Sequence, residues 1–172
     1  MTTKVTTAFA STILAWLKRW KQRKKVQQPS KGQATSNTLS PDKQNEGKGS
    51  EKGGSIDKSD ELLQRICQLM EKEQLFKNNQ LRLSDVANML GTNTTYISDC
   101  INTKRGCSFN QFVNGYRIAY VKEQMRKDPY VKLSTLYLEA GFSSETSFYR
   151  VFKSLTGITP KEWLMRDRQA LR

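Results

Sequence analysis

The sequence predicts an all-α domain over residues 57–172, joined to a leading segment of a different character. Three observations carry this. From residue 57 onward the apolar residues recur at helical spacing, and no alternating strand pattern competes with them. Helix start and stop signals follow one another: Ser/Thr caps, glycines, asparagines and the prolines Pro129 and Pro160. One motif, a short helix, a glycine turn and a second helix, occurs twice.

The first helix starts near Ser59, where Ser59, Asp60 and Glu61 give a capped, acidic first turn that suits the positive end of the helix dipole. Its apolar positions are Leu62, Ile66, Leu69, Met70 and Phe76. A helix-turn-helix spacing follows over residues 83–101. Ala87 is small where two helices cross closely, Gly91 ends the first of them, and Asn93 or Thr94 caps the second. Val86, Leu90, Ile97, Cys100 and Ile101 form the apolar seam. One long helix then runs from Phe109 to Lys127, with Phe112, Val113, Tyr116, Ile118, Val121 and Met125 apolar, until Asp128 and Pro129 end it. Residues 132–155 repeat the plan: a helix through Leu136, Leu138 and Ala140, a turn at Gly141, a cap at Ser143 or Ser144, and a helix burying Phe148, Phe152 and Leu155. Gly157 stops it, and Thr159-Pro160 opens a last helix carrying Trp163.

Ahead of this domain, residues 27–56 form a linker with two prolines, five glycines and almost nothing apolar. Such a stretch cannot bury enough surface to offset its ordering entropy and is expected to be disordered. Residues 1–26 differ again. Phe9, Ile13, Trp16, Leu17 and Trp20 share one helical face, and Lys18, Arg19, Lys21, Arg23, Lys24 and Lys25 form a basic block beside it. The charge-free stretch over residues 5–17 is shorter than the roughly 20 residues of a spanning helix, and its basic block follows the apolar part, opposite to a secretory signal. Three readings stand: a helix on an anionic membrane surface, a partner-binding helix, or a tail that packs on nothing.

Composition narrows the chemistry. There is no histidine among 172 residues, which removes Ser-His and Cys-His nucleophile pairs and imidazole metal ligands. Cys67, Cys100 and Cys107 contain no CxxC pair, so neither a zinc site nor a structural disulfide is expected. Cys67 and Cys100 fall on apolar faces, whereas Cys107 follows Gly106 in a loop and is expected as an exposed thiol. No arrangement suggests an enzyme, and no metal or cofactor is called for. The net charge of +13 divides unevenly: residues 1–56 hold 11 Lys+Arg and 3 Asp+Glu, whereas residues 57–172 hold 18 and 13. Most of the basic excess therefore lies outside the folded part, and charge alone argues only weakly for nucleic acid.

The spaced residues argue more strongly. Gly141, Phe142, Ser143, Ser144, Ser147, Phe148, Arg150, Phe152, Lys153, Gly157, Ile158, Thr159, Pro160 and Trp163, with Phe112, Tyr116, Arg117 and Ile118 before them, resemble the signature of the AraC/XylS family of bacterial transcription regulators. The resemblance covers about residues 65–168. It implies a seven-helix domain with two helix-turn-helix units joined by a long linker helix, and a sequence-specific regulator of double-stranded DNA that works in the cytoplasm with RNA polymerase. Thr94, Thr95, Ser98 and Asp99 then fall at the DNA-facing positions of the first recognition helix. Ser144, Glu145, Thr146, Ser147, Arg150 and Lys153 fall on the second, where Arg150 suits guanine and the serines serve either as caps or as contacts. The sensing domain that such regulators usually carry cannot be built from 55 residues of this leading composition.

Three positions depart from the family pattern. Tyr137 stands where a small alanine is usual, so the second helix crossing must open or the ring must turn outward. Asp99 is acidic where a basic or amide side chain is frequent, and Leu164 replaces a frequent arginine. Asp99, Leu164 and the N-terminal segment support an alternative: a membrane-associated adaptor whose helix-turn-helix domain binds protein, and a regulator held at the inner membrane face would combine the two readings.

Overall fold

A computed structural model describes residues 58–170. Among these residues the chain forms seven α-helices and one 3₁₀ turn: α1 (Lys58–Glu71), the turn Leu75–Lys77, α2 (Leu83–Leu90), α3 (Thr94–Arg105), α4 (Phe109–Lys127), α5 (Leu133–Glu139), α6 (Glu145–Thr156) and α7 (Pro160–Ala170). The all-α expectation and the seven-helix count hold. None of these helices is long and apolar enough to cross a membrane. The N-terminal segment and its linker lie outside the described residues.

Two apolar cores form, and α4 belongs to both. Ile66, Met70, Phe76, Val86, Ile97 and Ile101 close the first around Phe112, Val113 and Tyr116 of α4. Leu136, Ala140, Phe142, Phe148 and Phe152 close the second around Ile118, Val121 and Met125 from the C-terminal half of the same helix. This explains why the α4 sequence has no single apolar face: one helix buried from two sides must be apolar nearly all round. At 19 residues it is about 28 Å long and acts as the beam between the units.

The helix ends follow the expected chemistry. Asn93 caps α3, its Oδ1 accepting from the Tyr96 N–H at 2.9 Å. Ser108 and Gln111 form a reciprocal capping box at the start of α4. Thr159 and Glu162 do the same at α7: the Glu162 carboxylate accepts from the Thr159 N–H at 2.7 Å, and the Glu162 N–H donates to the Thr159 hydroxyl at 3.3 Å. The backbone hydrogen bond from Thr159 holds the Glu162 carboxyl below its usual pKa. Its stabilising effect is therefore full above the ordinary glutamate value and lost as pH falls through the lowered one. Ser59 departs from its expected capping role. It sits inside α1, where its hydroxyl donates to Cys100 Sγ at 3.9 Å and its carbonyl accepts from that thiol at 3.2 Å.

Two other expectations are corrected by packing. Cys107 is not an exposed thiol; it is buried in the first core. Leu138, expected on the apolar side of α5, is exposed, because two positions after the buried Leu136 it has turned about 200° round the helix.

The two units meet at a joint. Arg117 of α4 donates from Nε to the Phe76 carbonyl at 2.8 Å and from Nη2 to the Asn78 carbonyl at 2.9 Å, and its guanidinium lies 5.5 Å from the centre of the Phe142 ring. One side chain thus ties the 3₁₀ turn of the first unit to the turn of the second. Gly141 presses on the same spot: a Cβ there would lie 2.5 Å from the Phe76 carbonyl oxygen and 2.6 Å from that of Lys77. At Gly91 a Cβ would meet nothing within 4 Å, although both glycines have a positive φ. Gly91→Ala is therefore expected to cost only the left-handed backbone penalty of about 1–2 kcal/mol. Gly141→Ala should cost at least about 1–3 kcal/mol more, because backbone must move. Urea unfolding of both variants checks the order, and equal losses would remove the close approach as the cause.

Candidate nucleic-acid interface

The two helix-turn-helix units close by the same hydrogen bonds, fifty positions apart. In the first, the Gly91 N–H donates to Asn88 O at 3.2 Å and the Thr92 N–H to Ala87 O at 3.0 Å. In the second, the Gly141 N–H donates to Leu138 O at 2.9 Å and the Phe142 N–H to Tyr137 O at 3.0 Å. A positive-φ glycine followed by a bond back across the turn is the helix-ending geometry that satisfies otherwise orphaned carbonyls. The second turn holds one residue more, so the cap Asn93 of α3 corresponds to the cap Ser144 of α6.

With that register, α3 and α6 superimpose in sequence as 12-residue helices, each ended by a left-handed glycine. Ile97 and Ile101 match Phe148 and Phe152, all buried. The outward positions also match in pairs: Thr94 with Glu145, Thr95 with Thr146, Asp99 with Arg150, Asn102 with Lys153. All eight are exposed. One helical position thus carries a carboxylate in the first unit and a guanidinium in the second. The two surfaces cannot favour the same chemical pattern.

The remaining site residues divide by what they touch. Ser144 caps α6, its Oγ accepting from the Ser147 N–H at 3.3 Å, which realises the capping alternative for that serine. Ser147 and Ser98 are half-buried, and Ser98 Oγ lies 3.5 Å from the Asn102 amide nitrogen that donates to it. Thr94, Thr95, Asp99, Glu145, Thr146, Arg150 and Lys153 project to solvent without an ion pair among the described residues. Phe9, Ile13, Trp16, Leu17, Trp20 and the basic residues at 18, 19, 21 and 23–25 lie outside the described residues.

The departures at Tyr137 and Leu164 have structural answers. Tyr137 takes the place that Ala87 holds in the first unit, and its ring stacks on Phe148 at 5.8 Å with planes 19° apart. The ring is half-buried against the second core, so it does not turn fully outward. Leu164 packs on that same core. Beside it, Lys122 and Arg126 sit 5.3 and 5.1 Å from the Trp163 ring centre, and Arg126 pairs with Asp167 at 3.3 Å.

Behind α3 a polar cluster sets its back face. Tyr116 donates to Glu71 at 3.4 Å, and Arg105 approaches Cys67 Sγ at 3.9 Å while its buried Nε has no hydrogen-bond partner among the described residues. Burial raises the Glu71 carboxyl, partly offset by the Tyr116 hydrogen bond and the Arg105 charge. Sequence periodicity gave no sign of this cluster, because its four members lie on three helices. Tyr96, 65% exposed on α3, was likewise missed: its position looks like part of the helix's inner turn, yet α1 leaves it open.

Similarity to known proteins agrees with this geometry. A family model described as a helix-turn-helix domain matches residues 86–166. A protein of Staphylococcus aureus (strain COL), named an uncharacterised HTH-type transcriptional regulator, is 29% identical over 113 residues, which are 66% of this chain and 14% of that protein. The chain thus spans a small part of the curated relatives it matches. Among solved structures, ToxT from Vibrio cholerae has a TM-score of 0.53 and 26% identity, covering 60% of this chain and 37% of ToxT. The C-terminal domain of AraT, a response regulator from Geobacillus stearothermophilus, has a TM-score of 0.55 and 21% identity over 61% of this chain and 84% of that domain, a likeness of fold.

The caps give a direct test of how the two outward helices are built. Asn93→Ala and Ser144→Ala are each expected to lower stability by about 1 kcal/mol, with glycine at either position costing only a few tenths. Thermal unfolding with far-ultraviolet dichroism measures both, and an unchanged midpoint in either alanine variant would remove that cap's role.

Proposed function

We propose that the chain is an AraC-type transcription regulator that binds double-stranded DNA with both outward helices; the seven helices over residues 58–170 and the helix-turn-helix family model matched over residues 86–166 support this reading. The observation that carries this is the matched pair α3 and α6, each capped, each exposed along one face, both fixed to one beam. Major grooves return to one face of B-DNA every ~34 Å. A beam of about 28 Å suits two helices entering successive major grooves from one side. A single chain then reads what a one-unit protein reads as a dimer.

The charge reversal assigns unequal work to the two helices. On α6, Arg150 and Lys153 supply donors for guanine edges and phosphates, while Ser144 and Thr146 lie at the helix start where phosphate contacts form. On α3, Thr94, Thr95 and Ser98 are short and neutral, and Asp99 repels phosphate but accepts from a cytosine amino group. Affinity therefore comes chiefly from the second unit, and the first acts as a filter. No observation on the described residues favours the adaptor reading over this one.

Three substitutions separate these roles in a competition assay against a duplex obtained by random-sequence selection. Arg150→Ala should relax discrimination at one base pair by about 1–3 kcal/mol. Lys153→Ala should weaken all sequences alike and lower the salt slope by about one. Asp99→Asn should bind more tightly overall while losing preference at one position. If the full chain selects no duplex at moderate salt, DNA binding is refuted.

A further inference from the structure

The function proposed above leaves an open groove unused. It runs between the first turns of α1 and the outer side of α3, with a volume of about 480 Å³, and its walls include Leu62, Thr92, Tyr96, Asp99, Cys100 and Thr103. Its floor is chemically quiet: the Cys100 thiol donates to the Ser59 carbonyl, so an apolar guest would strand no polar group there. Tyr96 offers the face of a ring that is 65% exposed. Asp99 at the rim is an exposed carboxylate with no ion pair among the described residues, and Glu61, outside the lining, is exposed in the first turn of α1.

We infer that residues 9–20 of this same chain dock in this groove and cover the outer side of α3. The tether begins at the groove itself, since Lys58 is part of its wall. Between Trp20 and Lys58 lie 37 residues, glycine-rich and polar, with a mean span of roughly 30–35 Å. That is ample for a return to the starting point, and such a tether holds its end at about millimolar effective concentration. The chemistry matches on both counts. Trp16 and Trp20, four residues apart, present indoles of a size that the groove and the Tyr96 ring accommodate. The basic residues that follow at 21 and 23–25 would meet the Asp99 carboxylate, which lines the groove opposite Lys58.

Asp99 both walls the groove and occupies an outward position of α3. A docked segment therefore competes with a duplex for the first recognition helix. This consequence rests on the DNA-binding reading; the docking itself does not.

Amide NMR spectra of the isotope-labelled full chain and of the W16S/W20S variant test it. Outside residues 1–26, differences are expected only at residues 58–62 and 92–103, unchanged on tenfold dilution, and Thr103→Arg should reproduce them by filling the groove mouth. The W16S/W20S chain should also bind the selected duplex about threefold more tightly, as expected for a segment docked two-thirds of the time. Superimposable α1 and α3 spectra would overturn the docking. So would that result paired with lost binding to phosphatidylglycerol vesicles, which would assign the segment to a membrane instead. Differences that fade on dilution would mean a second copy and overturn docking within one chain. If the spectra differ as expected but neither chain binds a duplex, docking stands and DNA binding fails. If they differ and the duplex affinities are equal, the competition at α3 is refuted.

Discussion

The guanidinium of Arg117 fixes where the two units lie relative to each other. At the end of the 3₁₀ turn the carbonyls of Phe76 and Asn78 point toward α4, and that of Asn78 also accepts from the Leu81 N–H at 3.3 Å. Arginine supplies what the place requires: a planar fork with several donors, weakly enough hydrated to be largely withdrawn from water. Burial pushes its pKa down from the ordinary arginine value, yet a guanidinium starts so high that it stays charged. Its other face meets Phe142, and Gly141 leaves room for the Phe76 and Lys77 carbonyls. Loss of Arg117 would remove both of these hydrogen bonds, and a side chain at Gly141 would displace the Phe76 and Lys77 carbonyls.

From that joint follows the character of the interface. Two helices held by a shared beam and a locked hinge present one surface, and the spacing between them does not need to be assembled at each encounter. Pre-organisation of this kind reduces the ordering cost of binding. It also limits tolerance, because a rigid pair cannot slide to suit a site whose half-sites are spaced differently. On the proposed reading, the opposite charges at Asp99 and Arg150 divide the labour: attraction to the phosphate backbone comes mainly from one end of the domain and refusal of wrong sequences from the other.

Much of the fold was legible because it is written in local rules. Caps, positive-φ glycines and apolar spacing at 3.6 residues placed α2, α3, α4, α5, α6 and α7, and the repeated turn chemistry located both units. What stayed hidden depends on partners far along the chain. Arg117 stands out as a signature position, but its task is not visible until the turn 41 residues before it is folded against α4. Gln74 adopts a left-handed conformation, φ 51°, that its residue type does not advertise. Cys107 is buried because α3 and α4 meet at a tight corner around it, and Tyr137 fits because Phe148 offers a face to stack on. Of the outward site residues, the positions were legible from the motif. The Asp99–Arg150 correspondence was not, since it needs the one-residue offset between the two turns.

Residual dipolar couplings of the backbone amides in a weakly aligned sample address the rigidity of the joint most directly. With Arg117 and Gly141 locking the units, one alignment tensor must fit the amides of α1–α3 and those of α5–α7 together. Two distinct tensors, or a markedly smaller order in one unit, would mean that the helix-turn-helix units move independently and that no fixed two-helix surface exists.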